Sequence, residues 1–129
     1  MIARIWHGWT KRADAKTYEN MLRDEIFPSI AARNIKGYRG AELFIREDDD
    51  EMEFVTLLRF DSLDAVKKFA GSDETKPVIF PGVEKLLTRM EPARHYRIAI
   101  ARELQGRRIA CRRFDWQAEL LPYHSSAPR

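Results

Sequence analysis

The order of sequence patterns predicts an α+β fold: a four-stranded antiparallel sheet in a split βαβ, ferredoxin-like arrangement, β-α-β-β-α-α-β, with its helices on one face. Three observations carry this expectation. The chain opens on an aromatic, strand-like run, Ile2 to Trp9. An apolar stripe at spacings of three and four, Tyr18, Met21, Leu22, Ile26 and Ile30, follows it and marks an amphipathic helix. Two alternating segments then flank the acidic run Glu47 to Glu51, as antiparallel neighbours joined by a short loop do.

The elements follow in order. In the first strand successive side chains leave opposite faces, so Trp6 stands on one side and His7 with Trp9 on the other, which gives an aromatic surface with a titratable group. Pro28 falls late in the first helix, where it kinks the last turn or ends it in favour of a short second helix. Gly37 to Gly40 form a turn, then Ala41, Leu43 and Ile45 alternate with polar or exposed neighbours, and Glu53 to Phe60 form the third strand. The acidic run between these two reads as a solvated loop, since the Gly and the terminal Glu of a calcium loop are missing. Asp61 or Ser62 caps a helix from Leu63 to Ala70, Gly71 stops it, and Leu63, Val66, Phe69 and Ala70 form its buried face. Pro77, Pro81 and Gly82 break the chain before a second short helix bearing Val83, Leu86, Leu87 and Met90, and His95 to Ile100 close the body as a fourth strand. Helices on one face leave the other bare. A bare sheet face carrying large apolar side chains is expected to be buried against a second copy, giving a homodimer.

Composition bounds the rest. The 129 residues suit one domain, 1–101, followed by a basic extension, 102–129, that is irregular or docks through Phe114 and Trp116. Charged residues make up 33% and hydrophobic ones 44%, the balance of a soluble globular chain, and no apolar run has the length of a membrane span. No export signal is legible, so a cytoplasmic protein is expected. The net charge of +3 resides in the extension, where six arginines meet three carboxylates; the other 101 residues hold 17 basic and 17 acidic groups. A neutral body argues against nucleic acid as the partner. Cys111 is the only cysteine, which excludes an internal disulfide and a zinc site built on several thiolates.

Several stretches together resemble the antibiotic biosynthesis monooxygenase domain family, of the dimeric α+β barrel superfamily. They are Met1 to Trp9, Gly37 to Gly40, Glu53 to Thr56, the run from Phe60 to Gly71 containing Phe-Asp-Ser-Leu-Asp-Ala-Val, and His95-Tyr96. The resemblance spans roughly residues 1 to 100 and implies a homodimer with a pocket between sheet and helices in each subunit. It further implies a cofactor-free, metal-free monooxygenase acting with oxygen on a small aromatic phenol or quinol. Such chemistry requires a base to make the substrate electron-rich and a cation or donor to hold the oxyanion, in a dry pocket. His7 is the preferred base, with Arg59 or Arg4 as the cation, and Trp6, Trp9, Tyr96 and Phe69 as the substrate-binding surface.

Each assignment has a structural rival. His7 can be a core or interface histidine, the two Trp sheet packing, and Arg4 and Arg59 cross-strand partners of Glu42 or Glu53. Should the His7 face meet the other subunit, His7 is an interface residue. The haem-degrading branch of the family is set aside, because Asn20 and Asn34 fall on the first helix and the loop after it and no His lies between His7 and His95. The competing function is a non-catalytic dimeric module that binds a small hydrophobic ligand or a protein partner.

Overall fold

Strand β1 (Ile2–Lys11) is the spine of the sheet, because it has a neighbour along its whole length on one side and two short ones on the other. The computed structural model describes residues 1–102, and every element belongs to the compact unit Met1–Ala99. Residues 103–129, with Cys111, Phe114 and Trp116, lie outside the described residues. After β1 the chain runs through α1 (Arg12–Met21), a π-helical segment Leu22–Ile26 and α2 (Phe27–Ala32). β2 (Tyr38–Asp48) and β3 (Glu51–Phe60) form a hairpin, and α3 (Leu63–Ala70) follows. A single 3₁₀ turn (Val83–Lys85), β4 (Leu87–Met90) and β5 (Arg94–Arg97) complete the unit. The sheet order is β2-β3-β1-β4, antiparallel throughout, with β5 also on β1.

The predicted fold class is the observed one, with five strands rather than four. The apolar residues Val83, Leu86, Leu87 and Met90 do not form the expected second short helix. A run this short suits helix or strand equally by periodicity, and pairing decides it. β5 engages only Ile2 to Ile5 of β1, which leaves the backbone groups of Gly8 to Thr10 for β4 to satisfy. The last strand is correspondingly shorter than His95 to Ile100.

Local expectations are partly met and partly corrected. Pro28 stands in the first turn of the short helix α2, one of the two expected outcomes, but no break separates α2 from α1. The π-helical turn immediately before it supplies looser i→i+5 spacing, and the helix continues to Ala32. The acidic run is mostly strand, since β2 extends to Asp48 and β3 begins at Glu51, leaving a turn at Asp49, whose φ of 55° an Asp tolerates. Ser62 caps α3 by accepting from the Ala65 amide at 3.2 Å, while Asp61 is occupied by a bidentate pair with Arg39. Leu63 is exposed on α3, and Ala65 takes its place beside Val66 and Phe69 on the buried face.

The core lies between the sheet and the helices. Phe54, Phe60 and Leu58 from β3 and Trp6 from β1 meet Tyr18, Leu22, Ile26 and Ile30 from the long helix. Gly8 stands two residues from Trp6 on the same face, and the Trp6 ring covers it: a Cβ added at Gly8 would clash with Trp6 Cη2. Gly8→Ala must therefore displace a buried indole. The expected cost is about 1–3 kcal/mol of stability, as for overpacked cores, read from urea unfolding; an unchanged midpoint would show that Trp6 is free to turn.

Candidate functional site

Even-numbered residues of β1 and β3 face the helices, and there they line a cavity. Arg4 and Trp6 from β1 and Thr56 and Leu58 from β3 form its floor; Tyr18, Leu22 and Ile26 form one wall, Phe69 and the irregular segment 78–80 the other. About 50 Å³ of it is reachable by the centre of a water molecule, more than the ~10–15 Å³ that one water needs. The lining is apolar apart from four side chains: Arg4, Trp6, Tyr18 and Thr56. No carboxylate or imidazole is among them.

Arg4 is the unusual member, a guanidinium 4% exposed. Nη1 donates to the Glu74 carbonyl at 2.5 Å and to His95 Nε2 at 3.1 Å, and Nη2 donates to the Lys76 carbonyl at 3.0 Å. The cation also lies 5.4 Å from the centre of the Phe69 ring. Burial lowers its pKa to about 10, so it stays charged at neutral pH. Among the described residues it has no carboxylate partner within ion-pair distance. Trp6 adds a second polar group without a counterpart: its Nε1 is buried and makes no hydrogen bond. Burial raises the Tyr18 phenol well above its ordinary pKa, so it remains a protonated donor.

His95 accepts from Arg4 and is therefore a neutral imidazole in this arrangement. Burial first, then the Arg4 charge, hold its pKa below the ordinary 6.5, against the pull of Glu74. The unfolded chain then binds the proton more readily than the folded one. Stability contributed by neutral His95 is complete above its unfolded pKa of about 6.5 and is lost as the pH falls below it. The expected result is a denaturation midpoint that drops from pH 7.5 to pH 5.5, with a shallower drop in His95→Gln; equal slopes would remove His95 from the account.

The opposite face carries the other sequence candidates. His7, Trp9, Arg59 and Tyr96 share it with Ile5, Val55 and Leu57, because they alternate with the cavity residues along the paired strands. His7 Nδ1 donates to the buried Glu53 at 2.7 Å, and Glu53 also accepts from Arg46 at 2.9 Å. Trp9 stacks on His7 with ring centres 6.2 Å apart, donates to Asp48 at 3.0 Å and lies under Arg89 at 3.8 Å. Arg59 pairs with Glu42 at 2.8 Å. Of the seven residues singled out from sequence, the structure thus brings Arg4, Trp6 and Phe69 together in the cavity. It keeps His7, Trp9, Arg59 and Tyr96 on the other side of the sheet, so His7 does not converge with Arg4. Tyr18, Thr56 and His95 went unrecognised as neighbours of the site. Tyr18 had a signal in the helical stripe, whereas Thr56 and His95 had only their strand parity.

Among the described residues no His, Cys, Asp and Glu cluster is placed to hold a metal ion, and no helix is long and apolar enough to cross a membrane. No family model matches the chain, and no curated protein does. Solved structures do. One is a candidate antibiotic biosynthesis monooxygenase from Bacillus cereus, 12% identical, with a TM-score of 0.57 over 80% of this chain and 97% of that one. Another is a candidate antibiotic biosynthesis monooxygenase from Deinococcus radiodurans, 17% identical, with a TM-score of 0.51 over 82% of this chain and all of that one. At these identities the likeness establishes the fold: this chain has the α+β architecture of those two proteins.

Proposed function

We propose that this protein is a cofactor-independent oxygenase of an ionisable aromatic compound, a phenol or quinol, and that the reaction occupies the helix-side cavity. The observation that carries the reading is a buried Arg4 cation in a mostly apolar pocket, with no carboxylate partner among the described residues, beside a Trp6 N–H that likewise has no partner among them. The substrate gives its proton to solvent water as it enters, and the phenolate or enolate left behind is stabilised by the nearby positive charge in a medium of low dielectric. The electron-rich anion then passes one electron to oxygen, and the carbon radical and superoxide combine to a peroxide. Loss of water from the peroxide leaves a carbonyl: the substrate loses two hydrogens and gains one oxygen atom, and the second oxygen atom departs as water. Phe69 and Leu58 keep the site dry, and Tyr18 and Thr56 donate hydrogen bonds to substrate oxygens.

The test is oxygen uptake by the purified protein with a panel of quinols and anthrones, with product mass measured under ¹⁸O₂. Incorporation of one labelled atom supports the proposal, and no uptake across the panel defeats it. The second reading, a binding module for a small hydrophobic ligand, draws on one observation: the cavity lining has no carboxylate or imidazole to serve as a base. Tight binding of panel members without uptake would favour it.

The homodimer is proposed on the same footing. Phe44 and Tyr96 are 48% and 50% exposed on the open sheet face, around Ile5, Val55 and Leu57. A second copy is the occupant that would bury this patch face to face. Sedimentation at micromolar concentration should give twice the 15.2 kDa of one chain; a monomer mass would leave the patch without this partner.

A further inference from the structure

A buried cation normally faces a carboxylate, and a buried indole N–H normally finds an acceptor. Among the described residues, Arg4 and Trp6 break both rules on the same face of one strand, two residues apart, against the same cavity. Arg4 is held by two main-chain carbonyls and one imidazole nitrogen, which satisfy three of its five N–H groups and leave its charge unneutralised. The carbonyl contacts have a structural use, since they pin the segment 74–76 to β1. They do not account for the missing anion, because main-chain carbonyls would be served as well by a neutral donor.

We infer that the cavity takes its ligand as a monoanion: a flat, mostly apolar acid whose charged oxygen lies by the guanidinium of Arg4 and within reach of the Trp6 indole N–H. This rests on the cavity being the site of the proposed oxygenase, and it narrows the substrate from phenols in general to compounds that enter already ionised, as a carboxylate or an acidic phenolate. The walls suit such a molecule. Leu22, Ile26 and Phe69 offer no polar atom to the ring, so the whole preference for charge falls on one end of the ligand. A buried guanidinium is more weakly hydrated than an ammonium and presents a planar donor edge, which fits a carboxylate or an enolate oxygen better than an isolated neutral hydroxyl.

The probes are 1-naphthoate and benzoate, each compared at pH 7 with its neutral amide of equal shape, 1-naphthamide and benzamide. Binding is read by titration calorimetry on the full chain. The expected result is an affinity for each acid at least about tenfold above that of its amide, the factor that 1.4 kcal/mol supports. Arg4→Gln should abolish that difference. Trp6→Phe should reduce it severalfold. Equal affinities of acid and amide in the native protein overturn the inference without any variant, as does failure of all four probes to bind. Arg4→Lys guards against a misfolded Gln variant: it retains charge, so a folded Arg4→Lys protein that still prefers the acids supports the inference, and one that binds acid and amide alike overturns it. The outcome is separable from that of the oxygenase reading. Acid preference without oxygen uptake keeps the anion site and removes the enzyme, whereas uptake with neutral quinols and no acid preference does the reverse.

Discussion

Phe54→Ala is expected to lower the unfolding free energy by about 3–5 kcal/mol. Phe54 has no exposed surface and lies in the middle of β3, paired with Gly8 of β1 on one side and Ile45 of β2 on the other. Its ring tilts against Tyr18 at 4.8 Å between centres, so it joins the sheet to the long helix at the wall of the cavity. Removing the ring deletes apolar burial and also leaves a hole that the neighbours fill poorly. Strand pairing holds two of them in place. Chemical denaturation with the slope held to the native value checks the figure; a loss below about 1.5 kcal/mol would mean that the helix moves in to close the gap.

Arg4→Gln is expected to reduce oxygen uptake on an accepted substrate by about a hundredfold to a thousandfold, the scale of a lost oxyanion partner. Gln keeps a neutral donor near the Glu74 and Lys76 carbonyls, so the loop retains part of its anchorage while the cation disappears. The comparison that matters is with His7→Ala. His7 lies across the sheet from the cavity, bonded to Glu53. A loss confined to Arg4→Gln places the chemistry on the helix side. An equal loss in His7→Ala, with the oligomer intact, would move it to the open face and return His7 to the role of base.

The physical basis for reading this fold from sequence is uneven. The stripe from Tyr18 to Ile30 and the alternation in Leu43 to Ile45 and Phe54 to Phe60 reflect burial on one side of a regular element, so they are legible from spacing alone. Segment 83–90 was not, because four apolar residues in eight fit either period and the deciding factor was an unpaired stretch of β1 distant in sequence. Pro28 marked the start of a short second helix, but the π turn that joins it to the first is invisible to propensity.

For the site, the sequence by itself determined parity. Period-two alternation obliges Arg4 and Trp6 to share one face and His7 and Trp9 the other, whatever the rest of the chain does. Only the tertiary structure decided which of those faces receives the helices. That choice depends on where α1 and α3 dock, and it makes Arg4 a cavity residue and His7 a residue of the open sheet. The Arg4 contacts with Glu74, Lys76 and His95 span 70 or more positions in the chain. No spacing rule reaches that far, because such contacts arise from how the irregular segment after α3 folds back across the end of the sheet rather than from any periodic pattern.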